Sequence, residues 1–508
     1  MPQSRLNNIS IVFLVVGMIM FMVLGGIPAI YTFIVSTREY MVLHGISGSP
    51  YVGLAYYRNL TGLDVFPSLI VSSLILSLVP SVLAIIIAIP SAGMVGGMVA
   101  GRNRSLATIA LLLPAFVPDI VLAFLVMSVA PAATLANPAS LRVILILHAA
   151  VRPAAICAFI GACSAGLFKD RGQSILAGAG AGVFVGIAIN LVRFLSGNSE
   201  LYMLYMFHNP LLSSVGETFD TFIFLHGMTF FQISLSSAAW AVRTLPQMLM
   251  AVLIAIVVFM CIRSVLRDSQ GYGYSGEFGT QATGLVPGLI GIVVLVAGLL
   301  LPLRFSTAGT MGALLGPIGN SAIITVLSVI VFGVLMFMLT AWLCVNINSV
   351  GTLIFVLVLA AIVNNTMGEF LFLRNIGLVN TYYAVALVSA FNIAFVLPLA
   401  YLAKLRNPNF ASISSLVRAM LPYFIVFLGF FIAYTWGSSF NQVVYIHQQN
   451  YFGVSMLFQM AVAHSAGGGP APPVGVVLWV TMPVLAIALI TGLVFVMTDR
   501  MTEWKENA

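Results

Sequence analysis

Charge is what this sequence has least of. Of 508 residues, 6% are Asp, Glu, Lys or Arg and only 13 are acidic, whereas a soluble globular domain carries roughly a quarter charged residues. A chain this poor in charge is built for lipid. Cysteine is scarce as well. Cys157, Cys163, Cys261 and Cys344 all fall inside apolar runs or at their ends, with neither a CxxC nor a Cys/His spacing, which excludes a disulfide framework and a zinc site of the usual pattern. The histidines form no cluster. His44, His208, His226, His447 and His464 are scattered between apolar runs and His148 stands alone within one, so each is expected to be a hydrogen-bonded structural residue. The glycine-rich stretch Gly467-Gly468-Gly469-Pro470 lacks the lysine of a phosphate-binding loop. No catalytic Ser/His/Asp spacing and no nucleotide motif occurs. The chain is therefore not read as an enzyme, no cofactor is expected to bind it directly, and any ATP would be hydrolysed by a separate subunit.

Against these absences stand long apolar runs, in a sequence that is 61% hydrophobic. A helix needs about 20 mostly apolar residues to cross a hydrocarbon core ~30 Å thick. Twelve runs meet that requirement, at 10–34, 66–89, 105–130, 143–168, 174–195 and 245–266, then 285–303, 320–345, 351–371, 380–403, 418–436 and 476–498. The expected fold is an all-α polytopic membrane protein of about twelve transmembrane helices in two pseudo-symmetric six-helix halves, residues 1–267 and 285–508. A glycine-rich polar linker, 268–284, joins them. Each half is expected to close with a long outer loop, Ser196–Pro246 and Gly437–Gly475. Six spans return the chain to its starting side, so the two repeats run in the same direction.

The placement of cations sets the expected orientation, because short cytoplasmic loops collect Lys and Arg. With the N-terminus inside, Arg5, Arg102, Arg104, Lys169, Arg171, Arg263, Arg267, Lys404, Arg406, Arg418, Arg500 and Lys505 all fall at cytoplasmic ends, twelve of the 20 basic residues. Both termini are then cytoplasmic in a plasma or inner membrane. The formal charge of +7 follows from that topology and calls for no nucleic acid. The first run is too long for a signal-peptide core and lacks a small-residue cleavage site, so it reads as a retained span.

Several segments, in order, carry a family resemblance. Tyr51-Val52-Gly53-Leu54-Ala55-Tyr56-Tyr57 after the first span, and Leu113-Pro114-Ala115-Phe116-Val117-Pro118 in the third, resemble the F-V-G-L-x-N-Y and L-P-x-x-x-P segments of the larger permease subunit of maltose-type carbohydrate ABC importers. In the second half, Asn320-Ser321, Leu373-Arg374-Asn375-Ile376-Gly377-Leu378-Val379-Asn380-Thr381 and Thr435-Trp436-Gly437-Ser438-Ser439-Phe440-Asn441 are similar to segments of the smaller subunit. The resemblance implies two permease subunits fused in one chain, serving a sugar or oligosaccharide. It further implies ABC ATPase subunits, an extracytoplasmic solute-binding protein and, left open, another permease as partners. One feature of that family is missing. Its cytoplasmic E-A-A-x-x-x-G coupling helix belongs near Ser164–Gly172 and Ala403–Ser415, yet neither stretch carries the motif. Lys169, Asp170, Arg171, Lys404 and Arg406 stand there instead and, with Arg418 just beyond, are the candidate ATPase-facing residues.

Charges within spans mark the remaining candidates, since each costs a few kcal/mol in lipid and turns toward protein or water. Asp119 after Pro118 and Arg152 before Pro153 are expected to pair across two helices. Asn364, Asn365 and Glu369, with Trp436 and Asn441, are candidates for a solute pathway. The competing expectation for Glu369 is an interfacial ion pair with Arg374. Aromatic residues between spans, Phe222, Phe224, Phe230, Phe231 and Trp240 among them, read as interfacial belts or loop packing. Three functions stay open: the fused importer permease, a twelve-helix secondary transporter, and a permease-like scaffold or regulatory subunit that has lost its couplers.

Overall fold

A computed structural model describes residues 12–19, 21–130, 134, 137–170, 173–196, 217–267, 281–308, 314–363, 365–390, 393–408, 410, 412–466 and 469–506. Within them the regular structure is helical, and β pairing is confined to isolated bridges such as Arg38 with Tyr51. In the first part of the chain the main helices are α1 (Ile27–Ser36), α2 (Phe66–Gly96), α3 (Arg102–Leu112), α4 (Asp119–Val129), α5 (Pro138–Asp170), α6 (Ile175–Val192), α7 (Phe219–Phe224) and α8 (Ile233–Arg267). The second part contributes α9 (Gln281–Leu300), α10 (Leu315–Asn346), α11 (Val350–Ile362), α12 (Thr366–Asn375), α13 (Tyr382–Ala390), α14 (Val396–Arg406), α15 (Ile413–Gly437), α16 (Phe440–Tyr445), α17 (Val454–Ala466) and α18 (Val474–Glu506).

Among the described residues, 9 helical stretches are long and apolar enough to cross a membrane, or 11 when each of two bent helix pairs counts as one span. Large apolar side chains such as Ile86, Leu249, Val293 and Leu493 point outward, which suits a hydrocarbon solvent and would be a liability in water. The protein is an all-α polytopic membrane protein. The first of the twelve expected spans is absent from these 11. It is described as helical turns from Val12 to Ile19, then a π-helical turn at Met22–Gly26 that leads into α1.

The packing follows one pattern twice. Helix α2 packs on α5 and α6, α5 on α6, and α6 on α8. Likewise α10 packs on α13, α14 and α15, α14 on α15, and α15 on α18. The leading helices cross over: α1 lies against α8 and α12, while α9 lies against α18 and α3. Close approach in the first set depends on small residues, which let backbones touch where no hydrophobic force drives helices together in lipid. A Cβ on Gly182 of α6 would stand 2.8 Å from the Gly161 Cα, the Ile160 O and the Ser164 Cβ of α5.

The structure corrects several expectations. The run 105–130 is broken, because Pro118 forces Val117 into an extended conformation (φ −63, ψ 122) and α4 leaves at 71° to the helix before it. The run 351–371 is broken too, by 76° between the helix ending at Ile362 and the one starting at Thr366, without a proline. The expected outer loop Ser196–Pro246 is largely helix from Ile233 onward, which places Trp240 in the core rather than in an interfacial belt. Residues 197–216 of that loop lie outside the described residues. In Gly437–Gly475 the chain folds as α16 and α17. Of the linker, 268–280 lies outside the described residues and Gln281 already opens α9.

Gly182→Ala should lower the thermal unfolding midpoint in detergent, consistent with an overpacking cost of about 1–3 kcal/mol. Gly180→Ala, whose Cβ would meet nothing within 4 Å, should leave the midpoint unchanged or raise it. Equal midpoints for the two variants would show that the α5–α6 contact is not tight.

Candidate solute-binding site

The polar residues of the bundle converge on one cavity of about 320 Å³, walled by α2, α5, α6, α12, α13 and α15, with Asp220 from α7 and Asn441 from α16. Helices from both parts of the chain therefore contribute walls. Their geometry follows from the two breaks. A helix that stops inside a bundle leaves carbonyls unpaired, and without water the protein must satisfy them. At the end of α11 the Ala360 carbonyl accepts from Arg193 Nε at 3.0 Å, which brings this guanidinium to the cavity wall. Asn365 caps α12, its Oδ1 accepting from Gly368 N at 3.1 Å. Its Nδ2 donates to Thr32 Oγ1 at 2.7 Å and to the Pro28 carbonyl at 3.2 Å, fixing α1 against the break.

Three carboxylates sit around this region, each held differently. Asp119 Oδ2 accepts from Arg152 Nη1 at 2.6 Å, and His148 Nε2 lies 3.7 Å from Asp119 Oδ1. The Arg152 guanidinium also stands 5.3 Å from the centroid of the Tyr434 ring. Asp220 forms an ion pair with Arg243, whose side chain is 1% exposed. Glu369 is buried, and Tyr445 donates its hydroxyl to Glu369 Oε2 at 3.1 Å. Arg152, Arg193, Asp220 and Glu369 line the cavity.

The candidate residues separate on this geometry. Asp119 and Arg152 meet. Glu369 and Asn441 line the cavity, the latter donating to Ser389 Oγ at 2.9 Å. Asn365 serves the helix break instead, and Trp436 donates Nε1–H to the Trp479 carbonyl at 3.0 Å, tying α15 to α18. Asn364 lies outside the described residues. Glu369 and Arg374 do not pair: Arg374 is exposed at the last turn of α12, five residues beyond Glu369. His148 is not isolated, because one helical turn before Arg152 it faces the same carboxylate. Arg193, Asp220, Arg243 and Tyr445 were missed. Arg193 and Arg243 did carry a signal, since both stand at span ends opposite the cation-rich ones, where a buried partner is the alternative to a basic loop.

Of the candidate ATPase-facing residues, Lys169, Asp170, Lys404, Arg406 and Arg418 gather at the other end of the bundle, in helices rather than loops. Lys169 donates to the Gly97 carbonyl, and Asp170 takes two hydrogen bonds from Arg104 at 2.8 and 2.7 Å. Lys404 lies 5.1 Å over the Phe410 ring, Arg406 pairs with Asp499 at 3.2 Å, and Arg418 donates to Ser414 Oγ at 2.9 Å. Arg171 lies outside the described residues. A second cavity of about 410 Å³ opens here between Arg104, Asp170, Arg406 and Asp499. Ring contacts run from Phe395 on the first cavity through Phe427 (4.8 Å) and Phe159 (6.1 Å) to Phe495 (5.7 Å) on the second.

No family model, curated protein or solved structure matches the chain.

Asp119→Asn and Arg152→Gln should each lower the unfolding midpoint, because removing one partner of a part-buried pair strands the other, at a cost bounded above by the about 3–5 kcal/mol of a fully buried pair. The double variant should recover a large part of the loss. Strictly additive effects across the cycle would mean that the pair contributes no coupling.

Proposed function

We propose that the chain is the pore-forming permease of a binding-protein-dependent ABC importer, in which two permease-like halves enclose one solute pathway. The observation that carries this reading is the shared cavity: α2, α5 and α6 face α12, α13 and α15 across it, and the helix pairings of one part recur in the other. The exchange of leading helices, α1 onto α12 and α9 onto α3, fits two halves locked as a pair. In this reading the cation-rich end is cytoplasmic, an ATPase binds there, and a solute receptor delivers to the opposite end. The family resemblance brings a carbohydrate as the solute class.

Coupling must differ from the family pattern. Only residues 171–174 separate α5 from α6, and 407–412 separate α14 from α15, too few for an added coupling helix at either place. An ATPase would have to engage the helix ends themselves. One observation favours a second reading, an ion-coupled secondary transporter: Asp119, His148, Asp220 and Glu369 form a concentration of ionisable groups around the cavity, as membrane carriers use for coupling.

The two readings part on the energy source, and the test needs no known solute. Ser389, on the cavity wall, is replaced by cysteine in a background with Cys157, Cys163, Cys261 and Cys344 replaced by alanine, and the protein is placed in liposomes with the ATPase that co-purifies in mild detergent. Labelling by a membrane-impermeant maleimide should change about tenfold or more on adding ATP and stay constant under a proton gradient alone. The opposite response would select the secondary transporter. If no ATPase co-purifies and neither energy source alters labelling, both transport readings fail and the scaffold stands.

A further inference from the structure

Charge pairing around the first cavity leaves a remainder. Arg152, Arg193 and Arg243 oppose Asp119, Asp220 and Glu369, three against three. Two pairs close within the protein, Arg152 with Asp119 and Arg243 with Asp220. Arg193 and Glu369 are left over, and neither enters an ion pair among the described residues. Arg193 has a backbone carbonyl for its Nε, while its Nη2 is buried with no hydrogen-bond partner among the described residues. Glu369 has a phenol. Both line the same cavity, on α12 and at the end of α6.

Arg193 and Glu369 feel each other's charge without touching, and a charge held in a membrane bundle with no counter-charge in contact costs several kcal/mol. Two such charges of opposite sign on one cavity wall set a chemical requirement for whatever fills it. A simple anion would satisfy Arg193 and be repelled by Glu369, and a simple cation the reverse. A neutral polyol could hydrogen-bond to both yet compensate neither. A solute with an anionic and a cationic group compensates both at once. The volume of about 320 Å³ lies at the small end of ligand sites, ~300–1,000 Å³, so the fit is to a compact molecule rather than an oligosaccharide. Asn190, Ser389 and Asn441 supply neutral hydrogen bonding along the same wall.

We infer that the cavity binds a small zwitterion of the amino-acid or betaine class, its anionic group on Arg193 and its cationic group toward Glu369. This rests on reading the cavity as the solute site and replaces the carbohydrate brought by the family resemblance.

The test uses the full chain in lipid nanodiscs without ATPase, so its outcome is independent of the energy source. Binding is measured by calorimetry and by shift of the unfolding midpoint for alanine, glycine betaine and dialanine, for N-acetylalanine and alanine methyl ester as single-charge counterparts, and for glucose and maltose. At least one zwitterion should bind saturably, about tenfold or more tighter than either single-charge derivative, as expected for a lost hydrogen bond to a charged group. Glu369→Gln should turn preference toward N-acetylalanine and Arg193→Gln toward the methyl ester, a crossing of selectivity that a merely structural role would not produce. Arg193→Lys and Glu369→Asp keep the charges and should keep the zwitterion preference, which covers the case in which the neutral variants fail to fold. Saturable binding of glucose or maltose with no zwitterion bound, no binding of any probe, or uniform weakening across all probes in the neutral variants would each overturn the inference. The first of these would leave the importer reading intact, whereas zwitterion binding without ATP-dependent labelling changes would leave the inference intact and remove the importer.

Discussion

Hydrocarbon supplies no water to a helix backbone, and the other features of this bundle follow from how the protein satisfies its own polar groups. A continuous transmembrane helix satisfies its own backbone, whereas a broken one does not. The chain breaks two spans, at Val117–Pro118 and between Ile362 and Thr366, and each break draws polar side chains to a depth where they would otherwise be costly. Arg193 reaches the Ala360 carbonyl, and Asn365 caps α12 while holding the Pro28 carbonyl and Thr32 of α1. The cavity is the space these substitutes for water surround. Removing the breaks would remove both the reason for the polar residues and the room between them.

The breaks bend alike but are not chemically equivalent. Each places a carboxylate in the first turn of the following helix, Asp119 in α4 and Glu369 in α12, where the partial positive charge of a helix N-terminus favours an anion. Asp119 then receives Arg152 and His148 from α5, so its charge is neutralised within the protein. Glu369 receives a tyrosine hydroxyl and enters no ion pair among the described residues. A proline makes the first break rigid, and a charge pair locks it. In the second, an asparagine cap makes the turn and the acid is left to the cavity. The asymmetry leaves the carboxylate of α12 facing the cavity and gives that of α4 structural work.

How much of this could be read beforehand depended on the range of the interaction. The spans were legible because roughly 20 apolar residues in a row have few other uses. Asp119 with Arg152 was legible too, since an intramembrane charge requires a partner and few charges were available. The break at Pro118 was visible as two prolines but not decided by them, because a proline can also sit inside an intact helix, as Pro153 does in α5. The break at Asn365 had no such marker: an asparagine pair in an apolar run reads equally as a cap or as a pathway residue. Asp220 and Arg243 were hidden for another reason. They belong to a stretch where loop and helix compositions overlap, and their pairing depends on α8 beginning at Ile233 rather than near residue 245. Glu369 stood out as an intramembrane charge, but its partner Tyr445 is 76 residues away and only tertiary structure connects them.

The opposite end of the bundle shows which contacts would resist an opening there. Arg104 with Asp170 is a bidentate pair, but the Asp170 side chain is 40% exposed, and an ion pair so open to solvent contributes about 0–1 kcal/mol. Arg406 with Asp499 is less well aligned at 3.2 Å, yet its side chains are only 6% and 20% exposed. Asp499 also accepts from Ser105 Oγ at 2.8 Å, and the Arg406 guanidinium lies 6.0 Å from the Tyr423 ring centroid. Separating these groups would strand buried charge, at a cost of about 3–5 kcal/mol. The second knot therefore dominates the first, although its hydrogen-bond geometry is poorer. It joins α14 and α18 of the later part of the chain to α3 of the earlier part. A force that opened this end would have to act across that junction, and with so few residues linking α5 to α6 and α14 to α15, it would have to be delivered through the helix ends.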